Sequence, residues 1–169
     1  MPQVLIPSLD LQKIDSSTGV IPAKHAILTT EQRKLLDRLN RFDAPYLHEK
    51  LLDKGVFSSK EEYQEAFIEF KKYVALTQIF SGPIGMASSK VDSIWHQFIL
   101  FTKHYHNFCN KNLRGYLHHT PHTLDTPKSQ KTEGIINFLR QYKMVFGEIP
   151  KIWDLHENSV CNCDGCDPS

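Results

Sequence analysis

SSKVDSIWHQFILFTKHYHNFCNKNLRG, Ser88–Gly115, is the stretch that decides the fold. Ser88 or Ser89 can cap a helix, and the apolar residues that follow recur at helical spacing. With Val91 at zero and 100° per residue, Val91, Trp95, Phe98, Ile99, Thr102, Tyr105 and Cys109 share one broad face. The reading is a core-facing helix from about Lys90 to Leu113, stopped at Gly115. Asp92 and His96 stand one turn apart at the edge of that face. A carboxylate so placed can fix the imidazole's tautomer, raise its basicity or share a cation with it. His106 and Cys109, three apart, can likewise converge on one ion.

On a straight helix, His96 and Cys109 are about 20 Å apart, far beyond what two ligands of one ion allow. The expectation is therefore two clusters, Asp92 with His96 and His106 with Cys109. His118 and His119, just past Gly115, reach the second easily. They reach His96 only if the helix breaks or the chain folds back. Thr102 can cap a restarted helix, so a break near Phe101 stays open, although the periodicity does not require it.

Outward from this stretch the pattern stays helical. Thr29 or Thr30 caps a helix to about Arg41. A second runs over Ala44 to Lys54, with Gly55 as its stop. Ser58 or Ser59 caps a third. Its core face carries Tyr63, Phe67, Phe70, Val74, Leu76 and Ile79, and its other face Glu61, Glu62, Glu65, Lys71 and Lys72. After a polar loop over residues 120–131, Thr132 caps a further helix with Ile135, Ile136, Leu139, Tyr142 and Phe146 on one face. Trp153 is positioned to anchor the following turn on the core. No stretch shows strand alternation. The fold class is all-α: a compact bundle of about five helices over residues 28–155, an extended arm over 1–27 and a mobile Cys-containing tail over 156–169.

The 169 residues suit one domain. Twenty basic against nineteen acidic side chains give a net charge of +1, which lacks the footprint of a dedicated nucleic-acid binder. A local basic patch around Lys103, Lys111 and Arg114 is the one feature that leaves such binding open. No apolar run is long enough to span a bilayer, and the N-terminus does not read as an export signal, so a cytoplasmic location and no membrane partner are expected. Six of the nine histidines fall between His96 and His122, the chief anomaly of composition.

Cys161, Cys163 and Cys166 form a Cys-x-Cys-x-x-Cys run near the C-terminus. Such close thiols cannot staple a core, but they suit soft ions such as zinc or copper(I), thiol exchange, or a protein partner. Three functions follow. The leading one is a small helical transition-metal module, for zinc or iron, with ligands from His96, His106, Cys109, His118 and His119 and a second, labile site on the tail. The second is an enzyme using Asp92 and His96 as an acid–base or metal site. The third is a non-catalytic interaction protein in which the Trp95-His96 signature is packing.

The run Val91-Asp92-Ser93-Ile94-Trp95-His96, followed by Tyr105, Cys109, Gly115 and His119, resembles the glycine-rich-domain-containing-protein-like family, in a small stand-alone bacterial form. The resemblance spans residues 80 to 122 well and marks Asp92, Trp95, His96, Tyr105, Cys109, Gly115 and His119 as motif positions. Membership implies no particular chemistry. Many relatives look like Trp-His-x-His, and Phe98 stands here at the second histidine position. Relatives can also carry a proline near the position of Thr102, similar to the break considered above.

Overall fold

The computed structural model describes residues 19–155. Among them are six α-helices, no strands, and a closing 3-10 turn: α1 Thr30–Arg41, α2 Pro45–Asp53, α3 Lys60–Ile79, α4 Ser89–Leu100, α5 Thr102–Asn112, α6 Lys128–Phe146 and the turn Lys151–Trp153. The all-α class holds. Six helices stand where about five are expected, because residues 90–113 fold as two. Residues 19–27 of the expected arm form no helix; they bind Asn40 through the Val20 amide and α6 through the Ala23 amide on the Val145 carbonyl. The rest of the arm and the cysteine tail lie outside the described residues. No helix among the described residues is long and apolar enough to cross a membrane.

The caps explain most of the boundaries. The Thr29 hydroxyl accepts from the Gln32 amide while Gln32 returns a bond to the Thr29 amide, a reciprocal capping box. Ser59 and Ser88 cap α3 and α4 through the amides of Glu62 and Val91. Gly55, at φ +67, ends α2, and Gly147, at φ +89, ends α6. The start of α6 differs from the Thr132 expectation. The helix begins at Lys128, with the Pro127 carbonyl accepting from Gln130 and Lys131. Its first turn is polar and exposed, so no apolar period betrays it; proline is tolerated there because its missing N–H is not needed.

α3 is the axle of the bundle and packs against α1, α2, α4 and α6. That arrangement corrects the expected solvent side of the helix: Lys71 and Lys72 are buried, as is Glu69. Lys71 Nζ donates to the carbonyls of Asn40 and Phe42, closing the end of α1. Lys72 and Glu69 pair at 2.8 Å with only 1% of either side chain exposed. The Glu69 carboxylate also accepts from Tyr142 Oη and from Trp153 Nε1, both at 2.7 Å. A buried charge persists only when paired and hydrogen-bonded, and both conditions hold here. Burial, with the nearby Glu69 carboxylate second, pushes the Tyr142 phenol well above the usual tyrosine range.

α6 turns Phe138, Tyr142, Val145 and Phe146 inward and leaves Ile136 exposed, a rotation from the expected stripe. It can approach because Gly134 faces Gly85: the Gly85 amide donates to the Gly134 carbonyl at 2.9 Å. A Cβ on Gly85 would sit 2.9 Å from the Ile135 nitrogen and 3.0 Å from the Gly134 carbonyl carbon.

Candidate metal centre

Ser88 is the root of the site. Its hydroxyl accepts from the Val91 amide at the start of α4 and donates to the Ile152 carbonyl at 2.7 Å, so the closing turn seats the helix. Asp92 lies in the first turn of α4, where the helix dipole favours a carboxylate. His96 is one turn further on. Between them Trp95 points into the core and packs against Phe70 and Tyr73.

The helix then breaks. Phe101 takes φ −84 and ψ 61, and serves at once as C-cap of α4 and N-cap of α5. No side chain caps the restart, so the capping role expected for Thr102 is not how the helix resumes; Thr102 is the first residue of α5 and is exposed. What holds the break is packing. The Phe101 ring lies 4.9 Å from Tyr46, while Phe98, Phe108 and Phe42 close ranks beneath it. Tyr105 Oη accepts from Trp95 Nε1 at 2.9 Å, binding the two helices together.

Tyr105 also donates to the Leu117 carbonyl. That bond draws the segment after α5 back along α4 and delivers His119 to Asp92. His119 Nε2 lies 3.0 Å from Asp92 Oδ1, and its ring meets the Trp95 ring at 4.4 Å, near edge-on. His96 Nε2 stands 3.4 Å from Asp92 Oδ2, and the two imidazole rings are 4.5 Å apart. One ligand atom from each of Asp92, His96 and His119 lies within 4.8 Å of the others. Donors about 2.1 Å from a tetrahedral ion stand about 3.4 Å apart, so small side-chain adjustments would bring the set around one ion. Exposure falls off inward, from 56% of the His96 side chain through 27% for Asp92 to 13% for His119.

The break changes the grouping drawn from a straight helix. His119 joins Asp92 and His96, not His106 and Cys109. Asp92, expected as a supporting residue, stands between two imidazoles. Cys109 is fully buried next to Tyr105, and burial is the main cause holding the Tyr105 phenol above its usual range, with the neighbouring Cys109 adding to it. His106 and His118 are exposed and flank the Tyr116 ring, at 6.3 and 4.8 Å. Neither belongs to the Asp92 cluster, and Gly115 is an exposed residue of the return segment. Cys161, Cys163 and Cys166 lie outside the described residues. The Leu117 carbonyl is the positioning group the sequence did not reveal, since a backbone acceptor leaves no mark on residue type.

Fold and site together define a small all-helical protein whose fourth helix and returning loop present two histidines and one aspartate. The chain belongs to the UCP032817-like family, whose family model matches residues 32–145, from α1 to the last turn of α6 and so across the whole cluster. That match replaces the glycine-rich-domain resemblance, which no comparison supports. No curated protein and no solved structure matches the chain.

Proposed function

We propose that this protein is a divalent transition-metal module whose core site is Asp92, His96 and His119. The convergence of two imidazole nitrogens and a carboxylate, brought together by the Phe101 break, carries the reading. Two borderline nitrogen donors and one hard oxygen suit zinc, and equally iron(II), which favours two histidines and a carboxylate on one face. Tyr105 and Trp95 act as positioning residues, holding the return segment that bears His119.

The test is elemental analysis of the full chain, beside a variant with Cys161, Cys163 and Cys166 all changed to serine. About one ion per chain is expected in both, and its loss in His96→Ala and Asp92→Asn. His96 is half exposed, so its removal leaves the core intact and a loss of metal there is not a folding failure. Metal that disappears with the tail cysteines, or is absent from the parent, overturns the proposal.

A further inference from the structure

Building on that reading, we infer that the Asp92–His96–His119 site keeps a coordination position open to solvent and takes a small anionic oxygen or nitrogen donor there. Closed structural sites surround zinc with four protein ligands, whereas sites that act on an added ligand hold three and leave the fourth position free. Among the described residues the cluster has three members and no fourth His, Cys, Asp or Glu. The obvious sulfur candidate, Cys109, is sealed in the core at Tyr105. The adjacent imidazole, His118, is turned to the Tyr116 ring.

The direction of the opening follows from burial. Trp95 walls the inner side against His119, and Asp92 is rooted in α4. Only the His96 side is more than half exposed, so an incoming group arrives past that ring. Charge selects its class. A dipositive ion with one carboxylate and two neutral imidazoles keeps a net charge of about +1, which favours an anion such as a carboxylate in the free position. An ion held by Asp92, His96 and His119 would keep a water there when no such anion is present, and would make that water more acidic.

Cobalt(II) bound to the full chain tests this, with azide as the spectroscopic probe and acetate as its competitor. A saturable change of the visible spectrum on adding azide, reversed by acetate, is the expected result, alike in the parent and in the triple serine tail variant. A spectrum indifferent to azide overturns the inference while leaving the metal reading intact. So does an intense near-ultraviolet thiolate-to-cobalt band, in a chain loaded with one cobalt, that vanishes both in the tail variant and in His96→Ala, because a tail cysteine then closes the site. A chain that takes up no cobalt overturns both.

Discussion

Tyr105→Phe removes one oxygen and disturbs two helices and a loop. The phenol accepts from the Trp95 indole and donates to the Leu117 carbonyl. Without it the Trp95 N–H, on a side chain that is almost wholly buried, has lost its acceptor. An unmet buried donor costs about 1–3 kcal/mol. The Leu117 carbonyl is half-buried and can take water in exchange, so its loss is closer to the ordinary net value of about 1 kcal/mol. The sum is about 2–4 kcal/mol, or about 4–16 °C in Tm for a domain of this size. The loop consequence is separate: His119 loses its tether and metal affinity falls by about 10–100-fold, the usual cost of disturbing the groups that orient a ligand. Thermal unfolding and metal titration on the same preparation measure the two effects. A Tm within about 2 °C of the parent refutes the hydrogen-bond argument. An expected Tm loss with unchanged metal affinity refutes the claim that Tyr105 positions His119.

Four further outcomes follow from the packing. Glu69→Gln cannot satisfy Lys72, Tyr142 and Trp153 together, because one amide oxygen replaces a carboxylate that accepts from all three; urea unfolding should show a loss of about 3–5 kcal/mol. Adding Lys72→Met to Glu69→Leu should recover part of the loss of Glu69→Leu alone, since the Lys72 charge is then not left without Glu69, while Tyr142 and Trp153 still lack their acceptor. Gly85→Ala should destabilise by about 1–3 kcal/mol, as its methyl meets Ile135 and Gly134 backbone atoms that cannot swing away, with the loss read from chemical unfolding. Stability should fall in alkali: burial raises the phenols of Tyr63, Tyr73, Tyr105 and Tyr142, so they stay protonated in the fold while the unfolded chain ionises from about pH 10. Stability is complete below that pH and is lost as pH climbs towards the raised values. Lys71, whose pKa burial lowers, acts in the opposite sense but is one group against four. Unfolding midpoints at stepped alkaline pH, beside phenolate absorbance of the native protein, check the sign.

The helices were legible because their signals are local. Thr29, Ser59, Ser88, Gly55 and Gly147 each announce a boundary within a few residues. The site was legible only in part, because it depends on one residue's backbone. Phe101 is neither glycine nor proline, and its non-helical ψ comes from Tyr46, the phenylalanine cluster and the Trp95–Tyr105 bond, all tertiary. On a straight helix Asp92 and Asn112 stand about 30 Å apart, and His119 could return to Asp92 only with the intervening segment almost fully stretched. The misjudged lysines have a similar origin. Lys71 and Lys72 read as solvent-facing by type, and only the wrapping of α3 by four helices places them inside with carbonyls and Glu69 as partners.

Trp153 belongs to the last described turn, yet it donates to a carboxylate at the centre of the bundle, and its neighbour Ile152 receives the hydroxyl that seats α4. During synthesis Glu69, Asp92 and His96 leave the ribosome long before either residue. Until the turn arrives, the growing chain holds Glu69 short of one donor and α4 without its footing. The seating of α4 and the full pairing of Glu69 are thereby coupled to a turn synthesised well after the residues it steadies.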